Sequence, residues 1–275
     1  MKPQGPLPPG DDLGSILSAA LPFVMVRRKE SGGFGATPRL PATIEDTYHA
    51  LKILELARKH GAMAEGEPDL PEDGNLRSYL AGCLGRLPAG SRTFFQLLWS
   101  CRAAGVALDY DPLGERVIGS MEASACLEDW FYGFRALDEV LGRTWRPAAE
   151  KPGLAAILDS GWRTVDEAWM HIRLSRAFRQ ALPRPKPELV TWLRACQSGD
   201  GGFGFFPGTT SFAENCHAAL RALAFLAAEP LDPGGGFLFL AACQTASGGF
   251  GRNPRSAPFL DTTWHALAAL ALLPH

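Results

Sequence analysis

Three copies of one short string constrain this chain more than any other feature: SGGFG at 31–35, DGGFG at 200–204 and SGGFG at 247–251. Each is followed by a Pro-containing loop and then by apolar residues at helical spacing, so the chain is built from a repeated unit. The three copies read GGFGATPRLPATIEDTYHALKIL, GGFGFFPGTTSFAENCHAALRAL and GGFGRNPRSAPFLDTTWHALAAL, which sets His49, His217 and His265 in one column. The last two histidines are 48 residues apart and the first two 168, four steps of 42, leaving room for three degenerate copies between them.

Period-3.6 patterns support that count. Cutting at Gly, Pro and Asp clusters gives six pairs of helices: 12–28 with 44–59, 74–87 with 91–104, 113–124 with 126–142, 152–161 with 163–181, 187–197 with 211–228, and 234–245 with 259–272. In the weak copies, LEDWFYGFRAL puts Asp129 and Tyr132 where Asp46 and His49 stand, and VDEAWM puts Glu167 in the acid slot. The second helix of a pair is the more apolar. After His217 the helix to 228 carries one charge, Arg221, and after His265 the chain to Leu273 carries none. Helices apolar all round must be enclosed, whereas PELVTWLRAC and FLFLAAC can face solvent. Six hairpins with enclosed second helices predict an all-α fold, an α/α toroid of outer helices around inner ones, because an open stack would leave apolar end faces bare. The glycines allow a tight reversal, and Phe34, Phe203 and Phe250 are placed to fill the gaps between hairpins.

The chain is 275 residues long and 46% hydrophobic, enough for one substantial core, so a single domain over 1–275 is expected, with an irregular segment at 1–11. A net charge of −2 without long runs of Lys or Arg argues against a nucleic-acid partner. No apolar stretch approaches the ~20 residues of a transmembrane helix, and MKPQGPLPPGDD lacks a secretory apolar core, so the expectation is a cytoplasmic protein. Six scattered cysteines without a CxxC do not suggest a disulfide framework.

The GGFxxxP string, a short loop and an acid near a helix start resemble the repeat shared by prenyltransferases and squalene cyclases, and specifically the β-subunits of protein prenyltransferases. The resemblance covers the whole chain in architecture and three repeats in motif. It implies an apolar central cavity for an isoprenoid-like ligand, a separate α-subunit-like protein partner, and zinc held by an Asp-x-Cys pair in one repeat and a His in the next. On this sequence those slots hold Glu214, Cys216 and His265, with Asp261 and His217 behind them. Zinc accepts carboxylate, thiolate and imidazole, and three ligands with an open fourth position suit prenyl transfer to a thiol. Because residues two apart on a helix diverge, Glu214 and Cys216 can converge only if Glu214 sits at the helix cap. Glu214 can equally serve as an ordinary helix-start acid, and Cys216 as a core residue. The family's diphosphate-holding Arg and Lys have no counterpart in FFPGTTSFA, which leaves Arg252 and Arg255 in the sixth loop as candidates.

Two other readings stay open. Class II terpene cyclases share the toroid and protonate their substrate with DxDD; the nearest fragment here, Asp109-Tyr110-Asp111-Pro112, reads as a turn. A toroid that binds a lipid or a partner without catalysis is the other. Under all three, Tyr48, Phe131, Tyr132, Trp169 and Trp264 are the candidate cavity wall.

Overall fold

Capping side chains open the helices where the sequence places polar residues. Thr43, Ser91 and Thr164 accept the backbone N–H three residues on, at Asp46, Phe94 and Glu167, and Asp73 and Asp232 do the same at Leu76 and Gly235. Each such cap is worth about 1 kcal/mol. The computed structural model describes residues 13–63, 73–87, 89, 91–146, 152–182 and 184–274; the irregular segment expected at 1–11 lies outside them.

Twelve helices occupy the described residues: α1 (Leu13–Met25), α2 (Ile44–Lys59), α3 (Gly74–Cys83), α4 (Arg92–Ala103), α5 (Tyr110–Ala123), α6 (Leu127–Arg135), α7 (Pro152–Asp159), α8 (Val165–Ala177), α9 (Lys186–Ala195), α10 (Ala213–Phe225), α11 (Pro233–Ala242) and α12 (Leu260–Leu270). A wider turn, Ala136–Val140, prolongs α6. No helix among the described residues is long and apolar enough to cross a membrane.

The even-numbered helices form the inner ring. α2 packs on α4, α4 on α6, α6 on α8, α8 on α10, α10 on α12, and α12 returns to α2. Each follows an outer helix through a turn, so all six run the same way. The GGF turns couple neighbouring hairpins. Gly201 has φ +88°, and a Cβ there would lie 2.1 Å from the carbonyl oxygen of Gly235 at the start of α11. Gly248 (φ +87°) would put one 2.0 Å from the carbonyl oxygen of Ala19 in α1. Only glycine tolerates both that approach and that backbone, and the second contact closes the ring onto its first hairpin. Phe34, Phe203 and Phe250 are fully buried behind these turns, each removing enough apolar surface to contribute about 2 kcal/mol.

The helix registers revise the repeat alignment. Thirteen residues beyond each GGF phenylalanine stand Thr47, Cys216 and Thr263, and each side chain accepts that phenylalanine's backbone N–H: Phe34 to Thr47 Oγ1 at 3.0 Å, Phe203 to Cys216 Sγ at 3.3 Å, Phe250 to Thr263 Oγ1 at 2.9 Å. The acid column is therefore Glu45, Glu214 and Asp261, with Glu45 in place of Asp46. His217 shares its column with Tyr48 and Trp264, and His49 pairs with His265. The three histidines do not share one column.

Candidate functional site

The ring encloses a cavity of about 740 Å³. Each inner helix turns one stripe toward it: 45, 48, 49, 52, 56 and 59 on α2, and 214, 215, 217, 218 and 221 on α10, the spacing of a single helix face.

Because the inner helices run in parallel, equal positions along them form layers. On α2, α8, α10 and α12 the first residue after the start is a carboxylate, and together these make a rim: Glu45, Asp166, Glu214 and Asp261. Burial raises the pKa of Glu45, Asp166 and Glu214 above the ordinary carboxylate range; Asp261 adds to this at Glu45 and Glu214. Arg92 lies at the same rim, paired with Glu128 at 2.8 Å.

One turn deeper, four or five residues from each start, all six inner helices supply a belt: Tyr48 and His49, Gln96, Phe131 and Tyr132, Trp169, His217, and Trp264 and His265. The rings interlock edge to face, Tyr48 on His49 (5.2 Å), Phe131 on Tyr132 (5.1 Å), His217 on Trp264 (5.8 Å), in the geometry aromatic quadrupoles favour. His217 Nδ1 and His265 Nδ1 share a hydrogen bond of 2.9 Å, so one neutral ring donates and the other accepts. Burial drives all three histidine pKa values down; Arg221 and Arg92 help bring His265 to about 3. Gln96 Oε1, Trp169 Nε1 and Asn215 Nδ2, on residues lining the cavity, have no protein hydrogen-bond partner.

The third layer is cationic. Lys52, Arg135 and Arg221 each stand eight residues beyond the start of their helix, seven below the rim position, about 10 Å at 1.5 Å per residue. Aromatic faces support them: Lys52 over Trp99 (4.3 Å), Arg135 over Phe95 (4.2 Å), Arg221 over Trp169 (4.4 Å). Glu139 binds Arg135 through both oxygens at 2.8 Å. Arg221 has no carboxylate partner among the described residues, and burial together with Arg135 lowers its pKa to about 10.

A family model described as the prenyltransferase alpha-alpha toroid domain matches residues 15–68, 163–234 and 237–275. The chain belongs to this family. No curated protein matches it. The unmatched stretch between residues 68 and 163 holds α3 to α7, so Arg92, Phe131, Tyr132 and Arg135 enter the toroid's lumen from the part of the chain where the family pattern is not matched.

Within this toroid all five aromatic residues expected at the wall, Tyr48, Phe131, Tyr132, Trp169 and Trp264, line the cavity. The cavity itself carries charged layers above and below its aromatic belt, where an apolar one was expected. The candidate zinc ligands do not converge. Glu214 and His265 line the lumen, but Cys216 is turned into the wall, where its sulfur accepts the Phe203 N–H and burial raises its pKa strongly. No group of three or more His, Cys, Asp or Glu among the described residues is placed to hold a metal ion. Glu214 instead pairs with Arg252 at 2.9 Å, and Asp261 and His217 sit at the rim and in the belt. These residues do not fit a Glu-Cys-His zinc site.

Arg252 stacks on Phe212 at 3.9 Å, Arg255 is exposed in its loop, and neither lines the cavity. Asp109 and Asp111 begin the outer helix α5, away from the lumen. The cations that do face inward, Lys52, Lys59, Arg92, Arg135 and Arg221, are not among the ligand-binding residues expected from the sequence. For Arg221 the signal was there: it is the one charge on an otherwise apolar, enclosed helix, and such a charge needs a reason.

Proposed function

We propose that this toroid holds an isoprenoid-like chain in its lumen, against the belt of Tyr48, Phe131, Tyr132, Trp169 and Trp264. The observation that carries this reading is the convergence of those rings, from four inner helices, on one enclosed space. Electron-rich ring faces suit both an apolar chain and a developing carbocation, which cation–π contact stabilises by up to about 2 kcal/mol when water is excluded.

The rim supports cyclase-like protonation as a second reading, because burial keeps the Asp166 and Glu45 carboxyls protonated to higher pH than usual, as a carboxylic-acid proton donor needs. Zinc-assisted transfer to a thiol finds no support in the placement of Cys216, and no step is assigned to zinc.

The test is titration of the protein with geraniol and farnesol, followed by tryptophan fluorescence. Saturable quenching is expected, weakened at least tenfold in both Trp169→Ala and Trp264→Ala. Absence of saturable binding by either alcohol overturns the reading. Incubation with linear polyprenyl substrates separates the second reading: a cyclised hydrocarbon that disappears in Asp166→Asn supports it, and unchanged substrate removes it.

A further inference from the structure

The three deep cations belong to α2, α6 and α10, alternate members of a ring of six. They reach one level of one cavity from three sides. Two of them already have carboxylate partners, Arg135 in Glu139 of the lumen lining and Lys52 in the largely exposed Glu55; Arg221 has none among the described residues. The aromatic faces beneath them fix their positions without cancelling their charge. Arg221 is the enclosed cation without a counter-charge, which is costly, and its free guanidinium fork matches the paired oxygens of a carboxylate or phosphate, with Lys52 and Arg135 adding their charge beside it.

We propose that Lys52, Arg135 and Arg221 form an anion-binding collar at the waist of the lumen, and that the ligand places a phosphate or carboxylate head there with its apolar body against the aromatic belt above. This rests on the isoprenoid reading for the body of the ligand only. The candidates in the sixth loop, Arg252 and Arg255, lie outside the cavity and take no part. About 10 Å separates the collar from the carboxylate rim, seven residues at 1.5 Å each, so the enclosed body is short. The rim's carboxylates repel a head group held at the mouth and favour its placement at depth.

Three ligands with one ten-carbon chain test the proposal by calorimetry: geranyl diphosphate, geranic acid and geraniol. Both anions are expected to bind at least tenfold more tightly than geraniol, and the tighter of the two identifies the head group. Arg221→Gln and Lys52→Gln each reduce that preference, read as the ratio of anion to geraniol affinity in the same variant, about tenfold, and Arg221→Lys restores part of it. Circular-dichroism melting shows that each variant is folded, and a loss confined to one variant that does not fold is decided by the other. Equal affinity for all three ligands, or a preference unchanged in both glutamine variants, overturns the collar. Inorganic diphosphate alone separates the two proposals: binding that Arg221→Gln abolishes upholds the collar even if geraniol and farnesol fail to bind, whereas geraniol binding without any anion preference upholds the belt alone.

Discussion

Cys216 Sγ accepts the backbone N–H of Phe203 at 3.3 Å, and the residue occupies the position that threonine holds in the first and last repeats. The sulfur is a weak acceptor doing the work of a hydroxyl. Cys216→Thr is therefore expected to leave stability unchanged or raise it by up to about 1 kcal/mol, and Cys216→Ala to lower it by about 1–2 kcal/mol, because a buried N–H loses its partner. Urea denaturation reads both. A Cys216→Thr variant that melts well below the parent would mean the thiol has another role.

Acid should loosen the belt. His265 has its pKa drawn down to about 3 by burial, Arg221 and Arg92, against about 6.5 in an unfolded chain. Between those values the unfolded chain binds a proton that the folded chain does not, so the stability contributed by neutral His265 is intact above pH 6.5 and falls as pH drops toward 3. By pH 5 the loss from this residue is up to about 2 kcal/mol. His265→Gln should flatten the decline between pH 6.5 and 4 relative to the parent protein. Identical pH profiles would show that the imidazole does not titrate on unfolding.

The coupling between hairpins is testable at Gly201. Its positive φ and the 2.1 Å approach of a Cβ to the Gly235 carbonyl oxygen predict a cost of about 3 kcal/mol or more for Gly201→Ala. Gly199 has nothing within 4 Å of its added Cβ and serves as the control. Equal melting temperatures for Gly199→Ala and Gly201→Ala would contradict the docking of this turn on α11.

Arg252 and Glu214 form a half-exposed pair at the edge of the ring, 45% and 30% accessible. Pairs of this exposure contribute about 0.5 kcal/mol. Arg252→Ala should cost that little and leave isoprenoid affinity within twofold, since the backbone carbonyl of Arg252 still accepts the Ala213 N–H. A tenfold loss of affinity would bring this arginine back as a head-group ligand.

Helix positions were legible because enclosure and capping are written into neighbouring residues. The inner helices expected at 44–59 and 211–228 occupy Ile44–Lys59 and Ala213–Phe225, and the five aromatic wall residues follow from helical spacing on α2, α6, α8 and α12. Cys216 was misleading because Glu-x-Cys resembles a ligand pair in one dimension, while the helix sends neighbouring side chains to different faces. The correct face could be read from the shared thirteen-residue spacing of Thr47, Cys216 and Thr263. Arg135 and Arg221 escaped because they lie far apart in sequence, and only the ring brings them to one level.

The contact between Gly248 and Ala19 has a kinetic consequence. Together with the hydrogen bond from Gln244 to the carbonyl of Ile16, 228 positions away, it fastens the last hairpin to the first. Five hairpins can associate by short-range steps, but the final junction brings distant stretches of chain together and bears the entropy of a long loop. Refolding is therefore expected to slow at that junction, leaving a crescent with bare apolar flanks as the species most prone to aggregate.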